Sequence, residues 1–542
     1  MATPGLWWQH GVIYQVYPRS FQDADGDGNG DLAGLTARLD HFVELGVDAI
    51  WLSPIFPSPM RDGGYDIENY VDVDPLFGTL ADVDLLLQGA HQRGIRVLLD
   101  LVPNHTSDRH PWFCDSRSSR NSDKRDWYLW RDPAPGGGPP NNWLSEFGGS
   151  AWQYDVVTGQ YYYHAFLSTQ PDLNWRNPQV QAAIADVMRF WLRRGVDGFR
   201  VDVLWHLIKD EQFRDNPANP DFRDGDKPYR RLTPRYTTDL PEVHAVVAML
   251  RRVIDECPDR VMIGEVYLPL TQLVAYYGQD LRGAHLPFNF ALLETPWEAG
   301  AIARLIADYE ALLPAGGWPN WVLGNHDRPR LASRIGAAQA RVAAMLLLTL
   351  RGTPTIYYGE EIGMQQAEIP RARLQDPIAD SIAGLPDGRD AVRTPMQWDA
   401  SRFAGFSDVA PWLPIADNGH GLNVAQQRSD AGSLYNLYRR LIALRRSSPA
   451  LLEGAYCPVM THDQVLVFAR VAGTERMVIA LNLGGTPVST LPGSMAWRGV
   501  IAASTCADRD GAIVADGIAL RAHEGLVVRL DRESALPSAP TR

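Results

Sequence analysis

Short apolar runs rich in β-branched residues alternate with longer amphipathic stretches along most of the chain. The runs lie at residues 12–17, 49–52, 96–101, 198–203, 261–265, 285–290, 321–325 and 353–358. Each run has the length of a buried strand and is closed by polar residues, glycine or proline. Eight such strands separated by helical segments predict an α/β fold, the (β/α)8 or TIM barrel.

One connection is too long for a simple crossover between parallel strands. Residues 104–174 are rich in proline, glycine, serine, asparagine and aromatic side chains, and this predicts an inserted lobe after strand 3. A second irregular segment, 213–239, follows the fourth run. We expect it to cover the same face of the barrel.

The pattern of apolar residues changes from helical to β-strand runs after residue 453. Residues 435–452 have the pattern of a last amphipathic helix, and short β runs separated by turns follow them. We therefore predict a catalytic barrel at 1–103 and 175–453, the inserted lobe at 104–174, and a C-terminal all-β sandwich domain at 454–542.

Composition and charge narrow the class of protein. With 51 basic and 64 acidic residues among 542, the net charge of -13 argues against a nucleic-acid binder. The longest apolar stretch, 342–350, is far shorter than the roughly 20 residues that cross a bilayer. Residues 1–10 lack the basic and apolar regions of a secretory signal, so we expect a cytoplasmic protein without membrane partners.

The cysteines do not form a recognisable site. Cys114, Cys257, Cys457 and Cys506 lie far apart and lack the spacing of a metal site, so we predict dispersed thiols in a reducing compartment. No feature of the sequence specifies an oligomeric state.

Polar residues lie at the carboxyl ends of four of the predicted strands, where a parallel barrel carries its reactive side chains. They are Asp100, Arg200, Asp202, Glu265, His326 and Asp327. A single strand-end carboxylate is usually a helix cap or a salt-bridge partner. Several together cost free energy through repulsion and desolvation, unless a substrate, metal or proton transfer uses them. The sequence therefore predicts an active site at this mouth.

Glycoside hydrolysis is the chemistry that uses such a set, because it needs a nucleophile and a proton donor that are both carboxyl groups. Arg200 stands two residues before Asp202 and is predicted to keep that carboxylate ionised. Glu265 has no cation among its sequence neighbours, so we expect burial to raise its pKa. His105 and His326 are candidate hydrogen-bond partners for sugar hydroxyls, with a purely structural role as the alternative.

The motifs DLVPNH, GFRVDV, GEV and NHD occur in this order at these strand ends. They resemble the four signature regions of the α-amylase family of glycoside hydrolases, and the resemblance extends over the whole chain. It implies a retaining reaction through a β-glucosyl-enzyme, with no organic cofactor. Asp202 then corresponds to the nucleophile, Glu265 to the acid/base, and Asp327 to the third carboxylate, which stabilises the transition state.

The segment QPDLNW at 170–175 resembles the fifth conserved region of the oligo-1,6-glucosidase and α-glucosidase subgroup. This resemblance implies short α-glucosides as small-molecule partners and exo-action in a blind pocket. A salt bridge closes the pocket in that subgroup, and the matching residues are Asp62 and Arg393. Tyr65 matches the aromatic face under the terminal glucose, with loop packing as the alternative role.

Most aromatic side chains of the inserted lobe are expected in its core. If the lobe overhangs the pocket, Phe147 and Phe166 are predicted to line the site of the leaving sugar or of an acceptor alcohol.

The segment DADGDGNGD at 23–31 alternates acidic or amide residues with small ones, mostly glycines, as calcium loops do. It differs from an EF-hand because Gly34 occupies the twelfth position. In the subgroup a similar loop holds one structural Ca2+, and the matching positions are Asp23, Asp25, Asp27, Asn29 (through its carbonyl) and Asp31. The alternative is a series of Asx turns without a metal.

The sequence leaves the substrate open. Val203 resembles the residue of α-1,6-acting members, which makes an oligo-1,6-glucosidase an alternative. Sucrose-using glucosyltransferases, trehalulose-forming isomerases and trehalose synthases share the scaffold. From another class, the glucosidase-like ectodomains of amino-acid transporter subunits resemble this family but act as partners and not as enzymes. A purely carbohydrate-binding role is a further alternative, but it would leave Asp202 and Glu265 as costly unused charges.

Overall fold

The computed structural model describes residues 6–223, 225–377, 388–416, 422–491, 494, 497–515, 517–532 and 534. The strands are β1 (Ile13–Val16), β2 (Ala49–Leu52), β3 (Arg96–Leu101), β4 (Trp130–Arg131), β5 (Trp152–Asp155), β6 (Gln160–Tyr163), β7 (Gly198–Val201), β8 (Val261–Val266), β9 (Leu286–Asn289), β10 (Asn320–Val322), β11 (Thr353–Tyr357), β12 (Ala455–His462), β13 (Val465–Ala472), β14 (Glu475–Asn482), β15 (Gly499–Ser504), β16 (Ile513–Val514) and β17 (Gly525–Leu530).

The helices are α1 (Trp7–His10), α2 (Leu32–Ala37), α3 (Leu39–Leu45), α4 (Leu80–Gln92), α5 (Pro111–Ser118), α6 (Pro178–Arg194), α7 (Val243–Ile254), α8 (Leu270–Leu273), α9 (Ala291–Glu294), α10 (Ala299–Leu312), α11 (Leu331–Ile335), α12 (Ala337–Thr349), α13 (Val424–Ser429), α14 (Leu434–Ser447) and α15 (Pro449–Leu452).

The predicted barrel is confirmed. Strands β1, β2, β3, β7, β8, β9, β10 and β11 are parallel and close on each other, and β1 pairs with both β2 and β11. The seventh barrel strand, β10, ends at Val322, earlier than predicted. The next carbonyl, of Leu323, accepts a hydrogen bond from the Arg334 side chain instead of extending the strand.

The register of neighbouring strands determines which side chains meet at the barrel mouth. Asp100 on β3 pairs with Arg200 on β7, and Val201 on β7 pairs with Gly264 on β8. Residues two apart on a strand point to the same face. Arg200 is therefore placed between the ends of three strands.

The predicted insertion after β3 contains a three-stranded antiparallel sheet in the order β4, β6, β5. Its aromatic residues mostly form a core, as expected, with Trp143, Trp152 and Tyr163 packed together. Tyr128 forms a bridge with Leu173, and His105 forms one with Asp172. The bridge of His105 joins the two ends of the insertion beside the barrel mouth, and the bridge of Tyr128 joins its middle to its C-terminal end.

The C-terminal part is all-β, as predicted, and its described strands form a six-stranded antiparallel sheet in the order β12, β13, β14, β17, β15, β16. Residues alternate between its faces: Leu466 and Phe468 join the main core, whereas Val465 and Val467 pack in a second core with Trp497. Helix α12 is buried almost throughout and contacts both α14 and the C-terminal strands. This position explains the apolar stretch at 342–350.

Among the described residues, no helix combines the length and the apolar character needed to cross a bilayer. The four cysteines are free thiols, as predicted.

Candidate active site

A cavity of about 1040 Å³ opens at the carboxyl ends of the barrel strands, below the inserted lobe. Eight of the predicted site residues line it: Asp62, Tyr65, His105, Phe147, Phe166, Asp202, Glu265 and Asp327. Three more, Arg200, His326 and Arg393, lie behind this lining and contact it. The fold thus brings together side chains that are up to 331 residues apart between Asp62 and Arg393 in the sequence.

Arg200 is the charge around which the carboxylates gather. It is fully buried, and its Nη1 donates to Asp100 Oδ1 at 2.8 Å and to Asp202 Oδ1 at 2.6 Å. Its Nη2 lies 2.7 Å from Glu265 Oε2. Glu265 therefore lies beside a buried cation that its sequence neighbours do not supply. Sequence neighbours gave no sign of this ion pair, because it joins adjacent strands of the barrel.

One guanidinium is shared by three carboxyl groups, so its single positive charge does not balance their negative charges. Burial raises the pKa of Asp202 despite the opposing charge of Arg200, and the charges of Glu265 and Asp100 add to the rise. Burial likewise raises the pKa of Asp100 to about 6, again against Arg200. The sequence had led us to expect that Arg200 keeps Asp202 ionised. In the structure, burial and the neighbouring carboxylates outweigh Arg200 in setting the pKa of Asp202. The free pocket has an excess of negative charge that a substrate or a proton would relieve.

The backbone immediately after Asp202 takes an unusual conformation. Val203 has φ 37° and ψ 49°, in the left-handed region that a β-branched residue rarely adopts. Such a conformation costs on the order of 1–3 kcal/mol and is held by its surroundings. In this position the Val203 N–H donates to Glu265 Oε2 at 2.9 Å. The turn therefore links the positions of Asp202 and Glu265, and a valine gave no sequence signal for it.

His326 and Asp327 form the opposite wall. Burial lowers the pKa of His326 to about 3, so its imidazole is neutral at pH 7. Its Nδ1 lies 2.8 Å from Gln15 Nε2, which must donate, so the proton of the neutral ring is on Nε2. That nitrogen faces Asp327 Oδ2 at 3.2 Å. The ring also stacks parallel to Tyr65 at 5.3 Å between centroids.

Asp327 is held in its ionised form by its neighbours. Burial alone would raise its pKa, but His326, Arg389 and Arg393 together hold the pKa below its ordinary value. Arg393 Nη2 donates to Asp327 Oδ1 at 2.7 Å, and Arg393 Nε donates to the His326 carbonyl.

The salt bridge of Asp62 is made by Arg389 and not, as predicted, by Arg393. Arg389 Nη2 lies 2.6 Å from Asp62 Oδ1 and 2.7 Å from Asp376 Oδ1. The two arginines are four residues apart in GRDAVR, across the short 3-10 helix Gly388–Val392, so the motif offers two candidates. Arg389 pairs with Asp62 and lies 3.4 Å from Asp327 Oδ1, whereas Arg393 is the nearer cation of Asp327, at 2.7 Å.

Gln170, from the motif QPDLNW, connects this salt bridge to His105, which follows the third strand. Its Nε2 donates to Asp62 Oδ2 at 2.8 Å and lies 3.2 Å from His105 Nε2. Asp172 of the same motif forms a buried ion pair with Lys209 and accepts from Asn104 Nδ2 at 2.8 Å. The motif thus fixes the lobe against the barrel as well as the pocket. Gln170 and Arg389 are the contacts that sequence reasoning missed.

Replacing Arg389 with methionine should lower the free energy of unfolding by about 3–5 kcal/mol, because it removes the guanidinium that pairs with the buried carboxylates of Asp62 and Asp376. Chemical denaturation of the variant and of the parent protein measures this loss. Arg402→Met is the matched control, since Arg402 is exposed and stacks on Phe403. Equal stability of the two variants would contradict the assigned role of Arg389.

The acidic loop at 23–31 brings three carboxylates together. Oxygen atoms of Asp23, Asp25 and Asp27 lie within 4.8 Å of one another, a hard-oxygen set that fits a hard cation. The other two predicted ligands have different partners. Asp31 accepts from the N–H groups of Ala24 and Gly34 and caps α2, and the Asn29 side chain accepts from Arg19 Nε at 2.8 Å.

Comparison with known proteins gives consistent matches. The family model described as "Alpha amylase, catalytic domain" matches residues 15–454. A probable alpha-glucosidase of Rhizobium meliloti (strain 1021) is 46% identical over 88% of this chain and 89% of its own length. An oligo-1,6-glucosidase of Parageobacillus thermoglucosidasius is 37% identical over 91% and 93%. The crystal structure of an alpha-glucosyl transfer enzyme superposes with a TM-score of 0.91 at 41% identity, over 97% of this chain and 100% of that one.

Proposed function

Because the chain belongs to the α-amylase family of glycoside hydrolases, we propose that it is a retaining, exo-acting α-glucosidase that releases terminal glucose from short α-glucosides. The observation that carries the proposal is the arrangement around Arg200, which places Asp202 and Glu265 in contact with one buried guanidinium. Glycoside hydrolysis by the retaining mechanism requires two carboxyl groups, one as nucleophile and one as acid and base.

In this reaction Asp202 attacks the anomeric carbon, and Glu265 protonates the oxygen of the leaving group. The bond from carbon to Asp202 forms as the glycosidic bond breaks, and water then hydrolyses the glucosyl-enzyme with Glu265 as the base. The Val203 N–H and Arg200 hold Glu265 Oε2, so Glu265 Oε1 is the oxygen left to carry the proton. Asp327, ionised beside Arg393, stabilises positive charge on the sugar ring and binds its hydroxyls.

Exo-action follows from the closed end of the pocket. The bridge from Asp62 to Arg389 stands behind the place for the terminal glucose, and Tyr65 and His326 supply its aromatic wall. A chain could not pass this bridge, so one terminal sugar enters at a time. Phe147 and Phe166, 5.5 Å apart on the lobe side of the cavity, flank the path of the leaving group or an acceptor alcohol.

A second candidate is an oligo-1,6-glucosidase, favoured by Val203 and by the similarity to relatives of that name. Transfer of glucose to alcohols would use the same glucosyl-enzyme, and the alpha-glucosyl transfer enzyme of known structure is similar over nearly the whole chain. A sucrose isomerase would be distinguished by its products.

The test is time-resolved NMR of the purified protein with maltose, isomaltose, sucrose and a nitrophenyl α-glucoside. We expect α-glucose to be released first, before mutarotation. Initial β-glucose would contradict retention, and the fastest disaccharide identifies the linkage. Isomers or transfer products with little free glucose would favour the transferase or isomerase, and absence of turnover would favour a binding protein.

We further propose that the ion of the acidic loop is a structural Ca2+ held by Asp23, Asp25 and Asp27. Removal with EGTA should lower the melting temperature, because an ion present at 100 times its Kd stabilises by about 2.7 kcal/mol. Calcium but not magnesium should restore it, and Asp25→Asn should abolish the response. An unchanged melting temperature on chelation would favour the turn series without a metal.

A further inference from the structure

Several charged residues that line the cavity are not used by the proposed reaction, and two of them are Glu146 and Lys227. Glu146 lies on the wall formed by the inserted lobe, and Lys227 lies on the wall formed by the segment after β7. Both line the same cavity as Asp202 and Glu265. The charges that act on them are each other's and those of Arg230 and Arg328, and not those of Asp62 and Arg389, so we place the pair on the side of the leaving group.

Backbone hydrogen bonds hold Glu146 in position, and its side chain lines the cavity. Its N–H donates to the Ala165 carbonyl at 2.9 Å, and Ser145 Oγ donates to the Phe166 carbonyl at 2.7 Å. Within the described part of the chain, the carboxyl group has no hydrogen-bond or ion-pair partner. Burial raises the pKa of Glu146 to about 7, and the charge of Lys227 opposes this rise.

Lys227 faces it from the other wall. It precedes the short 3-10 helix Pro228–Arg231, whose Tyr229 and Arg230 also line the cavity. Burial lowers the pKa of Lys227, the charges of Arg328 and Arg230 lower it further, and Glu146 opposes them. Among the residues that the structure describes, its ammonium group forms no ion pair within 4.0 Å. The two groups therefore attract each other electrostatically across the cavity without direct contact.

A ligand in this space meets a hydrogen-bond acceptor on one wall, a donor on the other and aromatic side chains beside them, namely Phe147, Phe166 and Tyr229. A sugar ring matches this combination, because its hydroxyl groups both donate and accept and its C–H faces pack on aromatic rings. A simple alkyl or nitrophenyl group offers no hydroxyl donor for the carboxylate.

We propose that Glu146 and Lys227 together bind the hydroxyl groups of a sugar leaving group, and so direct the enzyme to disaccharides over alkyl and aryl glucosides. The inference rests on the proposed function, since it requires a glucosyl group bound between Asp202 and Glu265. In transfer reactions the same pair would bind a sugar acceptor.

The test compares kcat/KM for the preferred disaccharide with kcat/KM for nitrophenyl α-glucoside in the same preparation. Glu146→Leu and Lys227→Met should each lower the ratio of disaccharide to aryl glucoside about tenfold to a hundredfold, as expected for a lost hydrogen bond to a charged group. The double variant should lose less than the product of the single losses, because both side chains hold one ligand. Glu146→Gln, which keeps the shape of the side chain, should fall between the parent and Glu146→Leu.

Glu211→Gln is the control, since Glu211 is exposed on the same segment as Lys227 and does not line the cavity. Turnover of the aryl glucoside by each variant reports that it is folded. If Glu146→Gln, Glu146→Leu and Lys227→Met all turn over the aryl glucoside and keep the parent's ratio of disaccharide to aryl glucoside kcat/KM, the inference is wrong and the proposed function still stands. Absence of turnover of every glucoside by the parent protein would overturn the proposed function and the inference with it.

Discussion

Replacing Asp202 with asparagine should lower kcat on nitrophenyl α-glucoside by about four orders of magnitude or more, as the loss of a nucleophile does in other enzymes. The amide is isosteric and its oxygen still accepts from Arg200 Nη1, so the contact at 2.6 Å can persist. The fold should therefore survive while the attacking group is lost. Steady-state kinetics with a melting curve of each protein separate the two effects.

A smaller variant, Asp202→Gly, tests the role of nucleophile by its product. Azide can occupy the space of the lost carboxylate and attack the anomeric carbon from the same side, which would yield a β-glucosyl azide. This product forms in one displacement and needs no glucosyl-enzyme. Retention of more than a trace of hydrolysis in Asp202→Asn, or an α-glucosyl azide from Asp202→Gly, would contradict the assignment.

The barrel could be predicted because each strand carries its own signal. A buried strand between two helices needs a short apolar run closed by a polar residue, and this local pattern is present eight times. The ends of the elements depend on more distant groups. β10 ends at Val322 because the Arg334 side chain takes the Leu323 carbonyl, and no window of sequence around Leu323 contains that information.

The candidate site was predictable as a set of residues but not as a set of contacts. The motifs place Asp202, Glu265 and Asp327 at one mouth, since parallel strands share an edge. Which cation meets which carboxylate depends on register and on loops. Arg389 and Arg393 are only four residues apart, so the sequence does not show which of them pairs with Asp62. The folded chain distinguishes the partner of Asp62 from that of Asp327.

Backbone conformation was the least predictable feature. Valine gives no signal for the left-handed conformation that Val203 adopts, because the preference of the residue opposes it. The surroundings impose the conformation, and the N–H that it turns towards Glu265 is a consequence of the whole barrel mouth. The feature that connects the two catalytic candidates is therefore visible only in three dimensions.

This connection makes Glu265→Gln the most informative second variant. It should lower kcat/KM for maltose by about 10³–10⁴-fold, because a glutamine cannot protonate the departing sugar oxygen. The loss should be much smaller for the first step with dinitrophenyl α-glucoside, whose leaving group departs without a proton. Hydrolysis of the glucosyl-enzyme still needs a base, so this substrate should give a burst followed by slow turnover.

The amide of Glu265→Gln can turn its oxygen to the Val203 N–H and Arg200, so the two contacts of Oε2 can be kept. An unaltered melting temperature would confirm this, and Glu294→Gln on the cavity rim, where Glu294 pairs with Arg328, serves as the matched control. Added azide should restore turnover in Glu265→Ala with an α-glucosyl azide, because it attacks the glucosyl-enzyme from the side of the departed group. An equal loss for maltose and for the dinitrophenyl glucoside would contradict the role of proton donor, since a group that only positions the substrate would act alike on both.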